Sequence, residues 1–205
     1  MAHIDLGRVV RSVDSILRQR QGIHDFTDHE DCLFRISLTQ SAAALHLSDG
    51  TSVAPGDPVI ELHFWNEHLP IMPSAGPSTA WAVRLKRQMD RSLFLLDRYL
   101  DREPRFGDVA ALTGAPPFAS RIGEIQMERT GRRFGFEILA PQEAELGDRI
   151  HLVFDSMLLW GLGWTFNRPG LRSKTLLRRR YRLWISRATL HARYRDFEPP
   201  PCSRH

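Results

Sequence analysis

Apolar residues along the chain keep two different periods, and the switches between them mark out the elements. From Leu6 to Arg20, Val9, Val10, Val13, Ile16 and Leu17 fall on one helical face with arginines between them. The segment "GIHDFTDHEDC" is a polar connector. In "CLFRISLTQ", Phe34, Ile36 and Leu38 alternate with Arg35 and Ser37, the pattern of a half-buried strand. "AALHLSDGTSV" reads as a hairpin turning at Asp49-Gly50, and "APGD" as a second turn. "PVIELHFWN" is a further strand. Ile60, Leu62 and Phe64 lie on its core face, and Val59, Glu61, His63 and Trp65 on the other.

A helix starting at Ser78 or Thr79 follows "PSAGPS". Val83, Leu85, Met89, Leu93, Leu96 and Leu100 are spaced as its face. "VAALTG" is a short strand, "FASRIGEIQMERTGRRFG" a helix ending at Gly131 or Gly135, and "FEIL" another strand. Strand, helix, strand in that length predicts a crossover unit with parallel neighbours. After "APQEAELGD" two helices are expected, over 148–166 and 171–194, divided by "NRPG".

The predicted fold class is α+β: a mixed sheet of about five strands, a helical layer and a C-terminal helical hairpin. The expected organisation is an N-terminal amphipathic helix (1–25), an α+β core (30–147), the basic and aromatic hairpin packed on it (148–195), and a disordered tail (196–205).

Composition changes this picture in two ways. The two cysteines, Cys32 and Cys202, fit no zinc spacing and no disulfide framework, and the N-terminus reads as neither signal nor transit peptide. The expected location is cytoplasmic, peripheral on the inner face of the cell membrane. The charge is also segregated. Ten Arg and Lys and no acidic residue lie between Ser156 and Arg195, leaving 18 basic residues against all 24 acidic ones elsewhere. Such asymmetry points to an anionic partner: a membrane surface, an acidic protein face or nucleic acid. No recognised nucleic-acid motif accompanies the basic stretch.

The candidate chemistry sits in "GDPVIELHFWNEHLP". Glu61 and His63 share a strand face, where a carboxylate orients an imidazole for acid–base work. Trp65, Asn66 and His68 follow. An aromatic plate beside an amide, an imidazole and a carboxylate suits a sugar or another polyol head group. The bland alternative is a solvated strand face. No metal is expected, although Glu61, His63 and His68 would supply three ligands to an open site. Arg121, beside Ser120 near a helix start, offers an anion contact, which cap chemistry explains equally well. Phosphate-loop, dinucleotide, zincin and serine-hydrolase motifs are absent from the sequence.

The C-terminal stretch leaves three readings open. Ile150 to Phe166 is about 17 residues with His151 and Asp155, short and costly for a membrane span. It reads as a buried helix covering the sheet. It also reads as an in-plane anchor, with Trp160 and Trp164 at interfacial depth and Arg178, Arg179, Arg180 and Arg182 among Leu176, Leu177, Trp184 and Ile185.

Three stretches carry a resemblance: "LSDGTSVAPGDPVIELHFWNEHLP", "WAVRLKRQMDRSLFLLDRYL" and "FASRIGEIQMERTGRRFGFEI". With these the chain resembles the YkoP-like domain family of bacteria, whose members occur alone or joined to polysaccharide deacetylase domains. The resemblance implies a cell-envelope glycan or glycolipid setting and assigns no catalytic residue. The chain lacks the Asp-Asp pair and His-x-x-x-His of the deacetylase domain. The expectation is therefore an accessory or binding module. The alternatives are a small enzyme using Glu61 and His63, and a basic nucleic-acid binder.

Overall fold

The computed structural model describes residues 22–65, 67–71, 73, 74, 76, 78–115, 124–139 and 182–199, with backbone alone at 124–128. The strands are β1 (Phe34–Gln40), β2 (Leu45–His46), β3 (Ser52–Val53), β4 (Pro58–Phe64), β5 (Ala111–Gly114), β6 (Glu137–Leu139) and β7 (Arg182–Ser186). The helices are α1 (Thr79–Arg102), α2 (Glu124–Arg133) and α3 (Arg187–Tyr194), with a 3-10 turn at Pro104–Phe106. Five strands form a mixed sheet in the order β1-β4-β5-β7-β6, and β2 and β3 pair as a separate hairpin. The fold class is α+β.

Period-2 patterning sets the register. Pairing β1 with β4 antiparallel places Phe34 opposite Phe64, Ile36 opposite Leu62 and Leu38 opposite Ile60. Leu112 continues this row on β5 and Ile185 on β7. Except for Leu38, which is 49% exposed at the end of the row, these side chains pack under α1 and α3, where Leu93, Leu96, Leu100, Leu190 and Tyr194 are buried with them. Each such burial contributes about 1.5–3 kcal/mol. Phe64 is half-buried against the same cluster.

α1 starts where Ser78 caps it, its hydroxyl accepting from the Trp81 N–H at 3.2 Å. It stops at Arg102, two residues before Pro104, whose ring disfavours helical backbone at Glu103. The apolar stripe read from the sequence holds only in its second half. Val83 is 44% exposed, and Gln88, Ser92 and Asp97 take buried places on the core face. Ser92 is accommodated because its hydroxyl donates to the Gln88 carbonyl and accepts from the Leu33 N–H. α2 ends in a Schellman motif. Phe136 N donates to Gly131 O, Gly135 N donates to Arg132 O, and Gly135 has φ 90°.

The C-terminal segment departs from the expected helix over 171–194. Residues 182–186 are a strand, and it lies between β5 and β6. Leu183 and Ile185 face the helices while Trp184 and Ser186 face away, so "RLWIS" obeys period 2. Ser186 then caps α3, accepting from Thr189 N at 2.8 Å. β5 and β6 are each antiparallel to β7, so they are not the parallel neighbours expected from strand–helix–strand spacing. The parallel neighbours are β4 and β5, joined through α1.

Other expected boundaries shift at their ends. Residues 22–25 lie outside any helix, and His24 bridges Ile36 through two backbone hydrogen bonds. Phe197, from the expected disordered tail, packs against Phe94 and Tyr194. The rest of the N-terminal helix and of the C-terminal hairpin lies outside the described residues.

Candidate functional site

The face of the sheet away from α1 and α3 is divided. At one end the β2–β3 hairpin covers it, packing Leu47 and Val53 on Val59, Ala111 and Trp184. Gly50 makes the hairpin turn at φ 88°. The turn is tied down on two sides. Ser48 donates from its N–H and hydroxyl to Glu137, and Asp49 accepts from the hydroxyls of Ser186 and Thr189. Burial pushes the Asp49 carboxyl up, but the hydrogen bonds from Ser186, Thr51 and Thr189 outweigh it and hold it at about 2.

Beyond the hairpin the same face is polar. Register places Ser37 opposite Glu61, Glu61 opposite Thr113, and Thr113 opposite Trp184. One step along the strands, Arg35 lies opposite His63. His63 Nε2 and Ser37 Oγ are hydrogen-bonded at 2.8 Å, while Glu61 accepts from Arg182 at 3.1 Å. Two hydroxyls, a carboxylate, an imidazole and a guanidinium thus meet on four neighbouring strands. Thr113 is 1% exposed and its hydroxyl has no hydrogen-bond partner. Such a group carries an unrecovered desolvation cost of about 1–3 kcal/mol.

The aromatic edge of this shelf is already engaged. The Arg35 guanidinium lies 4.1 Å from the Trp65 ring centroid and is held by Asp25 at 2.8 Å. The His68 ring stacks on Trp65 at 3.9 Å, with Nδ1 hydrogen-bonded to the Cys32 carbonyl at 2.8 Å. A ligand ring stacking on Trp65 competes with both. Glu61, His63 and Arg182 therefore share the shelf, while His68 belongs to the packing at its rim. Asn66, Arg121, Trp160, Trp164, Arg178, Arg179 and Arg180 lie outside the described residues.

Three residues of the expected anchor sit differently. Trp184 is buried between Val59 and the hairpin, and Ile185 in the main core, so neither meets a membrane. Arg182 turns to Glu61. Ser37 and Thr113 were missed in sequence because each reads as an ordinary polar strand position. Only the cross-strand register brings them beside Glu61 and His63.

A family profile described as the YkoP domain matches residues 6–194, a span that takes in every strand and helix above. The chain belongs to the YkoP domain family. No curated protein and no solved structure matches it. Membership covers the shelf, the hairpin and the helical layer as one unit and names no reaction. Among the described residues, no helix is long and apolar enough to cross a membrane.

Proposed function

We propose that this YkoP domain is an accessory binding module whose polar shelf holds a hydroxyl-rich ligand of the glycan or lipid-linked sugar class. The setting is bacterial cell-envelope metabolism, and the basic stretch over 168–180 brings the domain to an anionic membrane surface or an acidic partner. One observation carries the binding reading: the partly exposed Glu61–Arg182 pair lies beside His63 in the row that Ser37, Thr113 and Trp184 complete. Hydroxyl ligands both donate and accept. They match a shelf that offers a carboxylate acceptor, a guanidinium donor and two groups of either sense.

The Ser37–His63 contact favours one further reading, a small acid–base enzyme on the same ligand class. In it His63 moves a proton with Ser37 and Glu61 as its neighbours. A single experiment addresses both readings. The His63 ring resonances are followed by NMR while chitotetraose, or its de-N-acetylated form, is added. Saturable shifts are expected with one of the two, weakened tenfold or more in Glu61→Gln. New product resonances that vanish in His63→Gln would select the enzyme. Absence of any shift at millimolar glycan would remove this ligand class from the shelf.

A further inference from the structure

On the helical side of the sheet, away from the shelf, α1 and α3 bring together Asp97, Asp101 and His191. The carboxylates are four residues apart and so share one face of α1. Leu96, Leu100, Leu190 and Tyr194 are buried around the contact, which fixes the two helices against each other. His191 Nδ1 lies 3.2 Å from Asp97 Oδ1 and 3.4 Å from Asp101 Oδ2. Among the described residues, this is the set of His, Cys, Asp and Glu side chains whose ligand atoms all lie within 4.8 Å of one another.

Two features are compatible with a metal ion. The first is spacing, which an ordinary ion pair shares. Nitrogen and oxygen ligands bound at about 2.0–2.1 Å to a tetrahedral ion sit about 3.3–3.4 Å apart, close to both measured separations. The second is an orphan. The Asp97 side chain is 2% exposed, and its Oδ2 has no hydrogen-bond partner although Oδ1 already has His191. A buried carboxylate oxygen without a donor needs a cation or a proton.

We propose that Asp97, Asp101 and His191 form a three-ligand site for a divalent transition-metal ion of the zinc type. Neutral imidazole and carboxylates suit such an ion, whereas calcium and magnesium favour all-oxygen sets with more ligands. Asp101 and His191 are half-exposed, so the fourth position opens to water. Arg187 donates to Asp101 Oδ1 at 3.5 Å and to the Leu100 carbonyl at 2.8 Å. It leaves Asp101 Oδ2 to the ion and orients the carboxylate, in the manner of an outer-shell partner. Because the ligands come from two helices, the bound ion joins α1 to α3 and raises stability by mass action.

The test uses the full chain and the metal alone. Co2+ serves as the spectroscopic probe and Zn2+ as the competitor. One equivalent of Co2+ is expected to give the intense visible bands of tetrahedral coordination, and Zn2+ to displace it. Asp101→Asn and His191→Gln alter half-exposed groups, and circular dichroism checks that each still folds. Each is expected to weaken Co2+ binding tenfold or more. In the unaltered protein, Zn2+ should also shield His191 from diethyl pyrocarbonate, read by peptide mass. No one-to-one binding, a change below tenfold in either folded variant, or an unshielded His191 would overturn the site.

Discussion

A single hydroxyl separates the shelf from an ordinary sheet face. Thr113 is central in β5, buried, and without a hydrogen-bond partner. Replacing it with valine keeps the shape and removes the unrecovered desolvation, so Thr113→Val should stabilise the protein by about 1 kcal/mol. For a chain of this length that is a rise of about 2–4 °C in Tm, measured by calorimetry. A lower Tm would mean that Thr113 already has a partner, such as a bound water. At this scale the sequence disclosed Glu61 and His63, because strand alternation alone puts them on one face. It did not disclose that Glu61 turns to Arg182, 121 residues away, or that His63 turns to Ser37. Partners of that kind follow from pairing, which one strand's pattern does not contain.

Local chemistry predicted the elements well wherever one signal acted alone. Ser78, the Asp49-Gly50 turn and Gly135 ended or started their elements as capping and turn rules require. β7 was hidden because "RRRYRLWIS" satisfies a helical stripe and a strand alternation at once, and tertiary pairing chose the strand. Joining elements costs local signals too: Asp49 looks like a turn residue and also clamps the hairpin to the start of α3. Its carboxyl is held at about 2 against an ordinary 3.8, a folded value below the unfolded one. The clamp's contribution is therefore present above pH 3.8 and is lost as pH falls through about 2. Asp49→Asn should lower the urea midpoint at neutral pH, and the gap from wild type should close between pH 4 and pH 2. A gap that stays constant across that range would mean the Asp49 carboxylate charge contributes nothing to the clamp.

Over the whole molecule, the basic C-terminal stretch divides into two populations. Four of its arginines have side-chain partners within the chain, three of them tying elements together and Arg195 at the surface. Arg182 pairs with Glu61, Arg187 donates to the Phe106 and Leu100 carbonyls, Arg193 donates to the Arg133 carbonyl, and Arg195 pairs with Asp196. Trp184, once grouped with the anchor aromatics, is core. The proposed attraction to an anionic surface would then rest on Arg168, Arg172, Lys174, Arg178, Arg179 and Arg180, a shorter stretch with no acidic residue among them. Each basic residue that reaches an anionic leaflet adds about 1 kcal/mol, so three of them supply about 3 kcal/mol, enough for reversible attachment. Co-sedimentation with phosphatidylserine vesicles should fall in the triple variant Arg178→Gln, Arg179→Gln, Arg180→Gln. It should also fall as salt rises, since the screening length drops from about 10 Å at 0.1 M to about 3 Å at 1 M. Arg187→Gln should do the reverse, lowering thermal stability while vesicle binding persists, because its guanidinium is spent on the ends of α1 and the 3-10 turn. Equal partitioning onto neutral and anionic vesicles would remove the electrostatic attachment and leave an acidic protein face as the partner of this stretch.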